Sequence, residues 1–263
     1  MSEMRIPQSI SRIIGNRPYR LDDIGRSDSQ VICFEDMVLK IEKVGENAGQ
    51  ESTMLKWLQE KLPVPRILQV EEEGFQYLLM SRMAGEMACS PRYLENQRQL
   101  VKGLAQGLKL LWSVDISDCP CRSGLDELLK RARIQVEQGL VDMENVQPDT
   151  FGENGFKDPM ELLIWLEENR PQEDFVLSHG DYCLPNVFLK EGQISGFIDL
   201  GRSGVSDRYM DIALCWRSLL NNLRGEYGGK AYQIDHPELL FEELGMEPDW
   251  EKIRYYILLD ELF

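Results

Sequence analysis

Residues 175–202 read Phe-Val-Leu-Ser-His-Gly-Asp-Tyr-Cys-Leu-Pro-Asn-Val-Phe-Leu-Lys-Glu-Gly-Gln-Ile-Ser-Gly-Phe-Ile-Asp-Leu-Gly-Arg. The spacing His-x-Asp-x-x-x-x-Asn begins at His179, directly after an apolar run. Two further apolar runs follow, separated by a turn at residues 191–192, and the second ends at Asp199-Leu-Gly. Apolar runs joined by a short glycine-containing turn are typical of a β-hairpin. The pattern therefore predicts a loop followed by a hairpin that returns Asp199 to the side of the loop asparagine.

The same order of residues is found in the catalytic loop and the metal-binding Asp-x-Gly of kinases. Asp181 is the candidate catalytic residue, which accepts or orients the proton of the attacking hydroxyl. Asn186 and Asp199 are the candidate metal ligands, because Mg²⁺ prefers neutral and anionic oxygen donors. Each residue alone is as well explained as an ordinary turn or core residue. Their occurrence in one order around a hairpin favours phosphoryl transfer with Mg²⁺.

Three segments resemble the aminoglycoside 3′-phosphotransferases, the kanamycin kinases. They are His-Gly-Asp-Tyr-Cys-Leu-Pro-Asn at 179–186, Gly-Phe-Ile-Asp-Leu-Gly-Arg-Ser-Gly at 196–204 and Tyr-Tyr-Ile-Leu-Leu-Asp-Glu-Leu-Phe at 255–263. The resemblance extends from near Met4 to Phe263. It implies transfer of the γ-phosphate of ATP, or of GTP, to a hydroxyl of an aminoglycoside antibiotic, most simply the 3′-hydroxyl, with resistance as the consequence.

The fold class that we expect is α+β, a two-lobed protein-kinase-like fold. Residues 1–84 are predicted to form a nucleotide-binding lobe of antiparallel sheet plus one helix, and residues 85–263 a mainly helical lobe for catalysis and substrate binding. A chain of 263 residues is long enough for two such lobes. The boundary falls at Ala84 and Gly85, which follow a predicted strand over 75–83.

Lys40 and Glu51 are predicted to hold the phosphates of the nucleotide. Lys40 lies inside an apolar strand, and Glu51 shares one face of a predicted helix over 50–62 with Met54 and Leu55. A carboxylate on an apolar face is costly unless it is paired, so the two side chains are expected to form an ion pair. Glu46 is a second possible partner, and a solvated ion pair is the alternative for both.

Other nucleotide contacts are implied by the resemblance. The loop at 25–29 lacks the glycine pattern of protein kinases, and its Ser27 is assigned to the β-phosphate, although a plain hairpin turn has the same composition. Ser81 and Met83 are assigned to the edge of the adenine through their backbone groups. Asp211, in a helix predicted over 206–223, is expected to accept hydrogen bonds from the backbone of the catalytic loop.

The candidate substrate residues carry charges that suit a polycation. The resemblance assigns binding of ammonium groups to Asp260, Glu261 and the carboxylate of Phe263, near the end of a helix predicted over 250–263. Anions at a helix C-terminus are unfavourable without a cation, although solvent at a frayed end is the alternative explanation. The resemblance also implies that Arg202 faces the active site, although an exposed loop arginine is the alternative. Glu153 belongs to an irregular acidic segment over 141–156 that forms either a flap over the substrate or a solvated loop.

Composition restricts the partners. The net charge of −16 argues against nucleic acid and favours cationic molecules, although acidity also serves solubility alone. No apolar run reaches the length of a membrane span, and residues 1–7 lack a signal-peptide profile, so we expect a cytoplasmic protein without membrane contact. The six cysteines are scattered and only two histidines are present, which argues against a zinc site and a disulfide framework.

Three alternatives remain open at this level. The nearest is another small-molecule kinase of the same fold, acting on choline, a macrolide or a sugar. A nucleotide-binding regulator without activity is less well supported, because none of the four residues Lys40, Asp181, Asn186 and Asp199 is missing. A metal-dependent phosphoesterase lacks the ligand cluster of a two-metal site. The sequence leaves the antibiotic spectrum and the oligomeric state unassigned.

Overall fold

The structure is a computed structural model that describes residues 6–21, 29–44, 49–72, 74–144, 146–153, 155–234, 236 and 238–263. Its N-terminal part contains helix α1 (Gln8–Ile14), helix α2 (Gln50–Leu58) and one antiparallel sheet. The strands of this sheet are β1 (Arg20–Leu21), β2 (Gln30–Cys33), β3 (Met37–Lys43), β4 (Ile67–Glu72) and β5 (Phe75–Ser81). Their spatial order is β1-β2-β3-β5-β4.

Strand β3 lies at the centre of this sheet, with apolar side chains on one face and the charged Lys40 on the other. Met37, Leu39 and Ile41 are buried against α1 and β5. Side chains alternate between the two faces of a strand, so Lys40 lies on the opposite face. That face is the one turned toward α2, because the Lys40 ammonium contacts a carboxylate of this helix.

The C-terminal part is mainly helical. Its helices are α3 (Pro91–Leu94), α4 (Gln97–Trp112), α5 (Leu125–Glu137), α6 (Pro159–Glu168), α7 (Arg208–Arg224), α8 (Leu239–Leu244) and α9 (Trp250–Asp260). Its strands are β6 (Glu86–Met87), β7 (Phe175–Ser178), β8 (Val187–Lys190), β9 (Gln193–Phe197) and β10 (Gly204–Asp207). They form a β6-β8-β9 sheet and a β10-β7 pair.

Helix α4 lies at the centre of the larger core. Leu100, Leu104, Leu108 and Leu111 recur at helical spacing and are buried. The core that they form includes residues of α7, α9 and the strands of the C-terminal part, and it extends to Met54 and Leu58 of α2. The end of α2 is therefore held by the C-terminal part although its sequence neighbours belong to the N-terminal sheet.

The predicted elements are present with shifted ends. The helix predicted over 91–113 is interrupted where the Asn96 side chain accepts a hydrogen bond from Gln99 N at 3.3 Å and caps α4. The helix predicted over 206–223 begins at Arg208, because Ser206 and Asp207 pair with β7. Helices α2 and α9 end before their predicted C-terminal residues. The order of the elements, an antiparallel sheet with a helix followed by a mainly helical part, is as the sequence predicts.

None of the described helices combines the length and the apolar character that crossing a bilayer requires.

Candidate active site

The catalytic loop starts where β7 ends, and it needs a glycine between its histidine and its aspartate. Gly180 has φ +79°. A Cβ at this position would lie 2.2 Å from the carbonyl oxygen of Arg202, which is closer than any side chain can approach. The backbone of the loop thus packs directly on the segment that follows Asp199, and any other residue would separate the two.

Asp211 of α7 holds the first half of this loop. Its carboxylate accepts hydrogen bonds from His179 N at 2.7 Å, Gly180 N at 3.0 Å and Ser178 Oγ at 2.9 Å. Complete burial raises the pKa of Asp211, an effect that the neighbouring His179 and these hydrogen bonds oppose. The structural role expected for Asp211 is confirmed.

Asp181 and Asn186 are in direct contact. Asn186 Nδ2 donates to Asp181 Oδ2 at 2.9 Å and to the Asp181 carbonyl oxygen at 3.0 Å. The short 3-10 turn over Leu184–Asn186 makes this return possible, because it bends the chain back within five residues. Since the amide nitrogen is used in this way, the Asn186 side-chain oxygen is turned away from Asp181.

The hairpin of β8 and β9 returns Asp199 to this loop, as its sequence predicts. Val187 pairs with Phe197, and the turn residues Glu191 and Gly192 have φ values of +55° and +80°. Ile198 N donates to the Asn186 carbonyl oxygen at 3.0 Å. Asp199 itself has φ +57°, a left-handed conformation that non-glycine residues adopt rarely and that clusters at functional sites.

Lys40 connects the two lobes through carboxylates. Its Nζ lies 2.9 Å from Glu51 Oε2, 2.9 Å from Asp199 Oδ1 and 2.8 Å from Glu42 Oε1. Burial acts to lower the pKa of Lys40, but the three carboxylates outweigh it and the pKa is raised, so the ammonium stays charged. Burial acts to raise the pKa of Asp199, and here the Lys40 ammonium prevails and the pKa is lowered.

The pairing expected between Lys40 and Glu51 is therefore present. Glu51 also accepts a hydrogen bond from Leu200 N at 3.3 Å, which joins α2 to the residue after Asp199. Glu42 is a further partner that the sequence analysis did not identify; its position two residues from Lys40, on the same face of the strand, was the available signal. The alternative partner Glu46 lies outside the described residues.

The other residues predicted to bind the nucleotide are Ser27, Ser81 and Met83. Ser27 lies outside the described residues. Ser81 N donates to the Arg66 carbonyl oxygen at 2.8 Å, so the Ser81 amide is engaged within the sheet. Met83 lies between β5 and β6, where the neighbouring Ala84 carbonyl oxygen accepts from Ser195 Oγ at 2.6 Å.

The carboxylates at the end of α9 are paired with arginines. Arg217 of α7 contacts Asp260 Oδ2 and lies 3.3 Å from Glu261 Oε1. Arg202 lies 3.2 Å from Asp260 Oδ1, and Gln147 N donates to Glu261 Oε2 at 2.8 Å. Only 16% of the Arg217 side chain is exposed, so this pairing belongs to the interior of the protein.

The aromatic ring of Phe263 lies close to two arginine side chains. The guanidinium groups of Arg131 and Arg202 lie 5.5 Å and 5.7 Å from the centre of its ring. Arg202 was predicted from the sequence as a substrate residue, whereas Arg131 and Arg217 were not. Arg217 could have been suspected, because it lies in a helix with a mostly buried face, where a charge needs a partner.

A single cleft of about 770 Å³ contains the two groups of charges. Its lining includes Lys40, Asp181 and Asp199, and also Arg217 and Asp260. The side chains of Asp142 and Gln147 also line it, so the segment over 141–156 does reach the cleft. Glu153 is exposed and does not belong to the described residues that line it.

Acidic side chains are in excess in the described lining of this cleft. Its carboxylates are Glu42, Glu51, Asp142, Asp181, Asp199, Glu226, Asp260 and Glu261, and its cations are Lys40, Arg131, Arg202 and Arg217. A cleft with this excess attracts cationic ligands. Within the part of the chain that the structure describes, no group of three or more His, Cys, Asp or Glu side chains is arranged as a metal site.

The chain is similar in sequence to known phosphotransferases. The model of the phosphotransferase enzyme family matches residues 19–254. The chain is 40% identical over 277 positions to an aminoglycoside 3′-phosphotransferase of Enterococcus faecalis, with 100% of each sequence covered.

Two solved structures are similar over nearly the whole chain. The crystal structure of an aminoglycoside-3′-phosphotransferase of type VIII has a TM-score of 0.79 at 27% identity, covering 97% of each chain. An aminoglycoside phosphotransferase of Streptomyces rimosus in complex with ADP and streptomycin has a TM-score of 0.77 at 23% identity, covering 96% of this chain and 95% of that one. The two-lobed kinase-like α+β fold expected from the sequence is confirmed.

Proposed function

Because the chain belongs to the phosphotransferase enzyme family, and within it to the aminoglycoside 3′-phosphotransferases, we propose that it transfers the γ-phosphate of ATP to the 3′-hydroxyl of an aminoglycoside and so confers resistance. The observation that carries this proposal is the Asp181–Asn186 contact in the same cleft as the Lys40–Asp199 pair. Phosphoryl transfer depends on positioning and charge, and these residue types supply both.

Asp181 is proposed as the catalytic base. Its contact with Asn186 fixes one carboxylate oxygen, and the carboxylate lines the cleft in which an acceptor hydroxyl can reach it. Asp181 orients the hydroxyl toward the γ-phosphorus and accepts its proton as the new phosphate ester bond forms. The bond between the γ-phosphorus and its bridging oxygen breaks, and ADP leaves.

Lys40 and Glu51 are proposed to orient the nucleotide phosphates. The ammonium is held in place by Glu51 and Glu42, so it keeps its position if Asp199 turns to another cation. We propose that the lobes divide after Ala84, that Ser81 and Met83 lie at the adenine edge through their backbone groups, and that Ser27 binds the β-phosphate. The carbonyl groups of 81 and 83 are the relevant atoms at this edge, together with the Met83 amide, because the Ser81 amide is engaged by Arg66.

Asn186 and Asp199 are proposed to hold Mg²⁺. Both offer hard oxygen donors, and the Asn186 oxygen is turned away from Asp181 by the amide contacts described above. Two protein ligands suit Mg²⁺, which commonly takes few carboxylates and completes its shell with phosphate oxygens and water. When bound, Mg²⁺ supplies positive charge that offsets the charge of the phosphates.

The substrate is proposed to occupy the part of the cleft near α9. Asp260 and Glu261 lie there beside Arg202 and Phe263, and the described lining of the cleft as a whole carries more carboxylates than cations, which favours a polycation. Glu153 contributes only if the segment over 141–156 moves toward the cleft. We further propose that the chain acts in the cytoplasm, because ATP is available there.

The proposal is tested by acceptor-dependent ADP release. The purified chain is mixed with ATP and Mg²⁺, and kanamycin, choline, erythromycin and glucose are added separately. We expect ADP release above the rate without acceptor only for kanamycin, together with a gain of one phosphoryl group in its mass. Turnover with choline, a macrolide or a sugar, and none with kanamycin, would show that the chain is another small-molecule kinase.

A further inference from the structure

Tyr182 follows the proposed catalytic base directly in the chain, and its side chain is fully buried. Its hydroxyl donates to the carbonyl oxygen of Leu104 in α4 at 2.8 Å. Its ring packs near His179 and Phe197, with ring centres 6.0 Å and 6.1 Å away. Burial raises the pKa of Tyr182 well above its usual value, so the hydroxyl keeps its proton and remains a donor.

The tyrosine hydroxyl occupies a notch in α4 that exists only because residue 107 is glycine. A Cβ at Gly107 would lie 2.1 Å from the Tyr182 hydroxyl oxygen and 3.2 Å from the ring carbon that carries it. It would also lie 2.8 Å from Ile194 Cδ1, the movable end of a side chain. The hydroxyl cannot remain 2.1 Å from a carbon atom, so a side chain at this position displaces the tyrosine.

The catalytic loop is attached to its surroundings on both sides of Asp181. On the N-terminal side, Asp211 of α7 holds the backbone of His179 and Gly180. On the C-terminal side, Leu184 N donates to Ser218 Oγ of α7 at 3.0 Å. Tyr182 is the attachment to α4. Because Asp181 and Tyr182 share a peptide bond, a shift of the tyrosine ring changes the direction of the Asp181 carboxylate.

We propose that Tyr182, seated in the Gly107 notch, is a positioning residue that sets the direction of the Asp181 carboxylate. The inference rests on the proposed function in taking Asp181 as the base. It predicts that filling the notch lowers kcat while binding of nucleotide is kept, because the ion pairs that Lys40 makes are with Glu42, Glu51 and Asp199, all outside α4. Misplacement of a catalytic group by about 1 Å can reduce the rate by about 10²-fold.

The test compares two glycines of the same helix. Gly107→Ala is expected to lower kcat with kanamycin by about 10- to 100-fold while the KM for ATP changes by less than about twofold. Gly103→Ala is the matched control, because its Cβ would meet the flexible end of the Leu189 side chain at 2.9 Å and the Gly192 carbonyl oxygen at 3.2 Å, in the hairpin turn, and not the catalytic loop. We expect its kcat to stay within about threefold of wild type.

Rescue distinguishes positioning from a general packing defect. Tyr182→Phe removes the hydroxyl that meets the new Cβ, so the double variant Gly107→Ala with Tyr182→Phe is expected to recover kcat to within about threefold of Tyr182→Phe alone. If Gly107→Ala does not fold, the inference is tested by whether the double variant folds and has the kcat of Tyr182→Phe. The inference is overturned if folded Gly107→Ala has wild-type kcat, or if the double variant fails to recover.

Tyr182→Ala provides an independent variant. It removes the attachment to α4 and is expected to lower kcat by about 10²-fold with the KM for ATP unchanged. Wild-type kcat in this variant would overturn the inference. Failure of the proposed function is recognised separately, because wild-type protein would then not phosphorylate kanamycin. In that case the same ratios of variant to wild type are measured for ATP hydrolysis to water.

Discussion

The two charged ends of the cleft hold their carboxylates in different ways. At the nucleotide end, Glu42, Glu51 and Asp199 share the single ammonium of Lys40. At the α9 end, Asp260 and Glu261 are matched by two guanidinium groups, those of Arg202 and Arg217. Among the described residues, the carboxylates of these ion pairs outnumber the cations at the first end and equal them in number at the second.

This difference indicates what each end is built to accept. Excess negative charge at the nucleotide end is unfavourable until a cation arrives, which suits a site for a metal ion. At the α9 end the paired carboxylates and arginines are equal in number. A cationic substrate there must therefore bind beside an arginine or displace it from its carboxylate. Arg202, with 43% of its side chain exposed, is the replaceable partner, whereas Arg217 is enclosed.

The largest effect is expected in the catalytic loop between the two ends, from Asp181→Asn. This change removes the base but keeps the shape of the side chain, so kcat is expected to fall by about 10² to 10⁴-fold. ATP affinity, measured by calorimetry, should stay close to wild type because Asp181 does not contact Lys40 in the structure. Near-normal turnover would show that another group accepts the proton.

Arg217→Met tests the enclosed pair at the α9 end. Asp260 and Glu261 would keep their burial but lose their shared cation, and breaking a buried pair in this way costs about 3–5 kcal/mol. We expect that loss in the free energy of unfolding from urea titration. Arg202→Met is the matched control and should cost less than about 1 kcal/mol, since Arg202 is exposed. Equal effects of the two changes would contradict the distinction between enclosed and replaceable arginines.

The double change Asp260→Asn with Glu261→Gln tests substrate binding at the same end. It leaves Arg202 and Arg217 without counter-charges, so the pocket becomes repulsive to a polycation. We expect the KM for kanamycin to rise by about 10- to 100-fold and the KM for ATP to stay unchanged. Asp126→Asn, a surface carboxylate outside the cleft, serves as the control. An unchanged kanamycin KM in a folded variant would mean that these carboxylates only balance the arginines.

The smallest effect is expected from Cys183→Ser, inside the catalytic loop. Burial, together with the nearby Asp181 carboxylate, raises the pKa of the Cys183 thiol well above its usual value. A thiol with a raised pKa stays protonated, and hence unreactive, over the neutral and mildly alkaline range. We therefore expect kcat within about twofold of wild type, and slow alkylation of Cys183 by iodoacetamide at neutral pH in peptide mass mapping. Rapid alkylation that increases with pH through neutrality would contradict this assignment.

The contrast between the two ends also explains what the sequence could predict. Lys40 and Glu51 were predicted as a pair because each is a charge in a local apolar pattern, one with period 2 and the other with period 3.6. Asn186 and Asp199 were predicted as neighbours because one hairpin connects them. These contacts depend on local geometry, which residue spacing encodes.

Other contacts could not be read in this way. Arg217 and Asp260 are 43 residues apart and meet only because α7 packs on α9. No local spacing relates them, so Asp260 was predicted without Arg217. Tyr182 and Gly107 are similarly related only by the packing of the catalytic loop on α4. For Ser27, Ser81 and Met83 the predictions rest on resemblance, and their roles stay predictions.

Phosphorylation of the 3′-hydroxyl of an aminoglycoside by this chain is tested with a pair of acceptors. Kanamycin and tobramycin are both polycations, but tobramycin lacks the 3′-hydroxyl. With wild-type protein, ATP and Mg²⁺, we expect rapid ADP release and a phosphorylated product for kanamycin, and binding of tobramycin without phosphorylation. Phosphorylation of tobramycin at a rate similar to that of kanamycin, or of neither compound, would contradict it.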